Sequence, residues 1–430
     1  MTKSQLQLWL TRDRGQAWLG MYALTAAFIA YFSMYAFRKP LAAASYEGMD
    51  PLGLGIDFKI AVLSSQVLGY AVSKFLGIKF VSEAKSHQRA IAIIGLIAFA
   101  ECALVGFAIL PPKWKLLSVF LNGLPLGMVW GLVFAYLEGR RISDVLGAGL
   151  CASFIVSSGV VKSVGRALVV DYTVPELWMP ALTGLIFFPL LALSVFFLSM
   201  TPPPDRLDRE QRMHREPMDR TRRKAFFISN RLGLIMLIVA YVTLTVVRDF
   251  RDNFAVEIWS GLGYAESPSV LALAELPVAM LVLFTLAMTI WIRKNEHAVF
   301  WQHFIIFSGG ALLALATLAF AGGLIGPIFW MVALGTGTYM GYVPFNSVLP
   351  DRLTAALRLP GNAAFFIYLA DASGYAGSVL LMLTKNFISP EVSWVAFLST
   401  LCIAAGLAVM ISVACSVVYF HRFRFAKVNA

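Results

Sequence analysis

Seven cations of the 430-residue chain lie inside or at the ends of long apolar runs: Arg38, Lys39, Lys74, Lys162, Arg166, Arg248 and Arg251. Five carboxylates share those runs: Glu101, Asp249, Asp252, Glu275 and Asp371. An arginine at mid-bilayer costs roughly 2.5–3.5 kcal/mol on insertion scales, so a chain keeps one there for a partner or a ligand. A guanidinium presents a planar fork that grips an anion bidentately, which an ammonium does less well. Adjacent residues on a helix point about 100° apart. Arg38 is therefore read as the ligand-facing group and Lys39 as an interfacial anchor. Arg248 and Arg251 stand one turn apart on one face. One of them can hold a substrate, Arg251 being favoured slightly because RDNFAVE at 251–257 echoes RKPLAAA at 38–44, while the other pairs with Asp249, Asp252 or a carboxylate on another helix. Lys162 and Arg166 also share a face, where an anchor or ion pair is as good a reading as a site. Glu275 and Asp371 are read as proton-coupling groups or as ion-pair partners of these cations. Glu101 reads as a packing ion pair.

The elements that must carry these residues are membrane spans. The sequence is 59% hydrophobic and 14% charged, with mean hydropathy +0.75, whereas a soluble domain carries about 25% charged residues. A span needs about 20 apolar residues. Twelve stretches meet that need, at roughly 17–37, 60–80, 90–110, 116–137, 146–170, 178–200, 231–256, 268–292, 299–322, 325–348, 361–384 and 393–420. The polar start MTKSQLQLWLTRDRG does not read as a cleavable signal peptide.

An even number of spans puts both termini on one side. The termini, the even-to-odd loops and the central connection carry 24 Lys and Arg; the opposite side has Lys59, Lys113, Lys115 and Lys385. The positive-inside rule then makes the termini cytoplasmic. That asymmetry explains the net charge of +11 without nucleic-acid binding. The four cysteines lack CxxC spacing, and the five histidines form no cluster, so neither disulfides nor a metal site is expected.

The longest polar stretch, TPPPDRLDREQRMHREPMDRTRRKAFFISN at 201–230, reads as a cytoplasmic linker. The expected fold is all-α: twelve transmembrane helices in two six-helix bundles, residues 1–200 and 231–430. Such a layout is typical of transporters built from parallel repeats. RKPLAAA at 38–44 can be laid on RDNFAVE at 251–257, one arginine per half.

Four segments carry a resemblance to a family: YAFRKPLAAA (35–44), GYAVSKFLGIKFVSEAKSHQR (69–89), NGLPLGMVWG (122–131) and YMGYVPFNSVLPDRLTAALRLPGNAAFFIYLADASGYAGS (339–378). In order and position they resemble the organophosphate:phosphate antiporters of the major facilitator superfamily, which include glycerol-3-phosphate and hexose-phosphate carriers. The resemblance implies a rocker-switch fold in which one arginine from each half grips a phosphoryl group. Arg38 matches the first-span arginine, Lys74 in SKF matches a cavity lysine, and the seventh span offers either Arg248 or Arg251. The sequence departs from the family in VVRDFRDNFAVE, where Asp249 and Asp252 crowd the arginines. It departs again at Lys162 and Arg166, where the family tends to show a histidine.

The resulting expectation is a secondary active transporter of a small organic anion, a phosphorylated metabolite exchanged for inorganic phosphate. The alternatives are a proton-coupled organic-anion symporter, with Glu275 or Asp371 protonated, and a non-transporting sensor with a carrier fold. No GxxxxGK[ST] cradle, nucleophile elbow or zinc-protease motif occurs, so no enzyme activity and no cofactor are expected. The expected setting is a bacterial inner (plasma) membrane, with lipid as neighbour, the substrate, phosphate or protons as ligands, and a monomeric state.

Overall fold

The computed structural model describes residues 15–49, 53, 55–83, 88–137, 143–203, 227–265, 267–292, 294–357 and 364–425. The linker expected at 201–230 lies mostly outside them. The first six spans are α1 (Gly15–Met34), α2 (Phe58–Glu83), α3 (Arg89–Ile109), α4 (Pro112–Phe134), α5 (Ser143–Val170) and α6 (Met179–Ser199). The seventh is α7 (Arg231–Asn253), followed by the short α8 (Ala255–Gly261). The eighth is broken into α9 (Val270–Leu273) and α10 (Glu275–Ala287). Next come α11 (Asn295–Ala321), α12 (Pro327–Asn346), the short α13 (Leu349–Ala356), α14 (Ala364–Phe387) and α15 (Trp394–Tyr419). Each of the twelve expected spans overlaps one of these, and no strand occurs among the described residues. The fold is all-α because lipid offers no partner for backbone polar groups, and a helix satisfies them within itself.

Among the described residues, nine of the spans are long and apolar enough to cross a membrane. Among the helices described in full, α12 falls short of that measure because its run Gly335–Thr338 is small and polar.

The chain divides into two compact units: Met1–Arg212 with Ala255–Leu273, and Met213–Phe254 with Ala274–Ala430. The same packing scheme recurs in each. In the first, α1 packs on α5 and α6, α2 on α4, and α3 on α4 and α6. In the second, α7 packs on α14 and α15, α10 on α12, and α11 on α12 and α15. Every pair is repeated six spans later, as an internal duplication requires. Close approach rests on glycine. A Cβ on Gly69 would meet the Phe120 carbonyl, and one on Gly123 the Gln66 carbonyl, so α2 and α4 touch backbone to backbone. Gly309 and Gly337 do the same for α11 and α12. Small residues at such crossings are how membrane helices gain packing energy without a hydrophobic drive.

The segment Ala255–Leu273 follows the seventh span in sequence but clusters with the first unit. There α9 lies against α5. The Ser163 hydroxyl donates to the Pro268 carbonyl at 2.8 Å, and Lys59 pairs with Glu257 at 2.5 Å, with the lysine side chain 2% exposed.

Candidate functional site

Each unit contains a buried polar centre around arginine. In the first unit it forms where α1 breaks. Pro40 has no N–H to donate and its ring disfavours helical backbone at the preceding residue. The α-helix accordingly stops at Met34 and continues as two 3-10 turns, Tyr35–Phe37 and Lys39–Ala42. Arg38 sits between them with φ −120° and ψ −54°. Two amides pin this break. Gln66 on α2 donates to the Arg38 carbonyl at 3.2 Å and to Asn122 Oδ1 at 2.7 Å. Asn122 on α4 donates to the carbonyls of Phe37 and Ala100, both at 3.0 Å. The carbonyls freed by the break are thus satisfied inside the protein, as burial demands. The guanidinium of Arg38 lies over the Tyr70 ring, 4.0 Å from its centroid. Such a contact holds an arginine flat against the ring. Tyr31 stacks edge-on to Tyr35 at 5.5 Å and to Trp130 at 4.8 Å.

In the second unit the centre is built on α7. Arg248 lies over the Tyr342 ring at 4.2 Å. Its Nε and Nη2 donate to Asp249 Oδ1 at 3.0 and 2.7 Å, and Ser378 on α14 donates to the other oxygen of Asp249 at 2.7 Å. Arg251 is spent differently. Its Nη1 pairs with Glu275 on α10 at 2.9 Å, and its Nη2 donates to the Met331 carbonyl on α12 at 3.0 Å. The Arg248 side chain is 13% exposed and that of Arg251 4%. Asp371 on α14 accepts a hydrogen bond from the Tyr241 hydroxyl on α7, and the Asn346 amide donates to the same hydroxyl at 3.3 Å.

The sequence-predicted residues are therefore distributed as follows. Arg38 heads the first centre. Arg248, Arg251, Glu275 and Asp371 belong to the second, and Asp252 is buried on the same helix as its arginines. Lys162 is buried on α5 in the first unit. Lys74 falls on α2, but its side chain lies outside the described residues. Two expectations change. Lys39, read as an edge anchor, is 7% exposed and buried in the 3-10 turn that Pro40 creates. Glu101, read as a packing ion pair, has neither carboxylate oxygen hydrogen-bonded and forms no ion pair among the described residues. The reason is that α6, one of the helices it packs against, has no charged residue from Met179 to Ser199.

Sequence reasoning passed over Gln66, Tyr70, Asn122 and Tyr342. The amides did leave a signal: each is a lone carboxamide inside an apolar helix, which survives burial only with partners. Among the described residues, no group of three or more His, Cys, Asp or Glu comes together as a metal site would need.

The model of a family of unknown function (DUF5690) matches residues 40–423. The chain belongs to that family. The match begins two residues after Arg38 and runs through all later spans of the DUF5690 chain. No curated protein matches its sequence. Solved structures do share its architecture. A mutant of the peptide transporter POT in complex with alafosfalin superposes with a TM-score of 0.63 at 14% identity, covering 99% of this chain and 99% of that one. A D-xylose-proton symporter gives a TM-score of 0.57 at 13% identity, covering 92% of this chain and 96% of that one. At such identities the likeness is one of fold. The DUF5690 chain is a multi-pass integral membrane protein with the major facilitator architecture.

Proposed function

We propose that the protein is a secondary transporter of a small organic anion, a phosphorylated metabolite taken up in exchange for inorganic phosphate. The observation that carries this reading is the arginine laid on a tyrosine ring in each unit, Arg38 on Tyr70 and Arg248 on Tyr342. A phosphate ester carries about −1.5 to −2 charge near neutral pH, the kind of anion that a guanidinium fork binds well. Of the two span-seven arginines, Arg248 suits the role. Asp249 takes its Nε–Nη2 edge, so an anion would meet the Nη1 side. The fork of Arg251 is filled by Glu275 and the Met331 carbonyl, which marks it as a structural ion pair. The fold supports transport by alternating access, the mode expected of parallel-repeat carriers.

The test is uptake of radiolabelled phosphate into liposomes holding the purified protein, preloaded with phosphate or empty. Uptake that needs the preload and is lost in both Arg38→Lys and Arg248→Lys is expected. Uptake that is equal with empty liposomes removes the exchange. Uptake indifferent to both substitutions removes the arginine site.

A further inference from the structure

Glu101 is a mid-span carboxylate of the first unit that the transport reading does not use. It sits near the middle of α3, a helix of 21 residues, and is 9% exposed. Both of its oxygens are buried, and neither has a hydrogen-bond partner. The pocket around it is shaped for a carboxyl. A Cβ on Gly184 of α6 would run into Glu101 Oε2, and it would also come within 3.0 and 3.1 Å of two carbons of the Phe37 ring. Glycine at 184 thus leaves room for the carboxyl, and Phe37 covers it from the break in α1.

Among the described residues no cation balances the group. On α6 nothing between Met179 and Ser199 titrates. On α4 the titratable residues are Lys113, which is exposed, and Lys115, whose amine donates to the carbonyls of Phe107 and Ala108 at 2.6 and 3.2 Å. Those carbonyls lie about two turns along α3 from Glu101. On α3 itself, Cys102 is exposed and Arg89 donates to the Ala135 carbonyl at 2.9 Å. From the broken segment, Tyr35 is stacked on Tyr31 and Arg38 lies on Tyr70. Lys39 follows in the next turn and makes no hydrogen bond to the carboxyl. An ionised carboxylate buried without cation or donor is costly enough that such a group takes a proton instead. A polar group kept in that position inside a membrane calls for a functional account.

The surroundings tie Glu101 to the substrate arginine. Asn122 donates from one amide to the carbonyl of Phe37 and to that of Ala100. Phe37 and Ala100 are the residues immediately before Arg38 and Glu101. The cover over the carboxyl and the anion-binding arginine are consecutive residues of one short segment, so a shift of one moves the other.

We propose that Glu101 is a proton-binding site, a carboxyl that holds its proton while Phe37 is seated against α6 and gives it up when the Tyr35–Ala42 segment is displaced. The coupling half of this proposal rests on the anion-binding reading of Arg38; the site itself does not. The proton leaves to water admitted when Phe37 moves, and no other bond changes. Anion movement would then be linked to proton movement through the first unit alone.

Infrared spectroscopy of the full-length protein in lipid, in deuterated buffer near neutral pH, reads the C=O stretch of protonated carboxylic acids directly. The expected result is a band in the wild type that is diminished in Glu101→Gln and weakened in the wild type by added inorganic phosphate. A band absent from the wild type, or undiminished in Glu101→Gln, overturns the site. A band that phosphate leaves unchanged, in protein that equilibrium dialysis shows to bind labelled phosphate, overturns the coupling. Protein that binds no phosphate overturns the anion reading instead, and the substrate-free band still decides the site. If Glu101→Gln does not fold, a lipid-soluble carbodiimide on the wild type serves in its place. It adds to protonated carboxyls to leave an N-acylurea, which peptide mass spectrometry locates. Modification at Glu101 supports the site, and an unmodified Glu101 overturns it.

Discussion

Arg248 and Arg251 are three residues apart on α7, yet their forks hold different things. Arg251 is locked between Glu275 and a backbone carbonyl. Removing one member of a buried ion pair leaves an uncompensated charge, at a cost of about 3–5 kcal/mol, whereas replacing both with apolar residues is often neutral. Arg251→Met should therefore lower the thermal unfolding temperature in detergent sharply, and Arg251→Met with Glu275→Leu should recover most of the loss. Arg248→Lys should behave in the opposite way. The ammonium can still face Asp249, so the unfolding temperature should change little. It cannot lie flat on Tyr342 or offer a planar fork, so phosphate binding measured by equilibrium dialysis should weaken at least about tenfold, on the order of 1.4 kcal/mol. The division of labour between the two was not legible in VVRDFRDNFAVE. Asp249 is adjacent in sequence, but Glu275 and Met331 arrive from other spans. The error at Glu101 has the same root in reverse: the charge was visible, and the apolar walls that isolate it come from α6 and from Phe37.

At the scale of elements, the spans were the legible part, because lipid imposes a length of about 20 apolar residues that any sequence must show. What hydropathy could not show is the break in α1, since YFSMYAFRKPLAAAS continues the apolar run through Arg38. Pro40 is the local cause, and Gln66 and Asn122 are the supports. Asn122→Ala would remove the donor that the carbonyls of Phe37 and Ala100 share. A stability loss of about 1–3 kcal/mol is expected, together with weaker anion binding at Arg38, measured by thermal unfolding and dialysis on the same preparation. Helix contact makes a second prediction. Gly123 meets the α2 backbone, while nothing lies within 4 Å of a Cβ added to Gly95. Gly123→Val should destabilise by about 1–3 kcal/mol or more through overpacking, and Gly95→Ala should be tolerated, as thermal unfolding of the two variants will report. The few cations counted on the cation-poor side also have local work. Lys115 caps carbonyls at the end of α3, and Lys385 donates to the carbonyls of Ser389 and Pro390 while lying over Trp394. Both roles suit a lysine near a helix C-terminus.

On the scale of the whole molecule, the packing scheme repeats plainly, whereas the echo of RKPLAAA in RDNFAVE lays Arg38 on Arg251, the arginine paired with Glu275 and not the one laid on a tyrosine ring. Sequence drift erases side-chain identity faster than it erases which helix leans on which. The duplication is not clean, however. The chain passes from the first unit to the second after Arg212, returns at Ala255, and leaves again after Leu273. A gene cut in the polar stretch at 201–230 would therefore not yield two self-sufficient halves. The N-terminal fragment would lack Glu257 and Pro268, leaving Lys59 buried without its carboxylate and Ser163 without its acceptor. Expressed alone, a fragment of residues 1–230 should be degraded or aggregate, whereas adding the complementary fragment in trans should rescue it. Rescue should fail when that fragment carries Glu257→Lys, because the lent segment would then bring repulsion to Lys59. In genetic terms the two halves are not cassettes that could be shuffled between relatives one at a time. Residues 255–273 are inherited with the second half but must match the first, so the two halves have to change together.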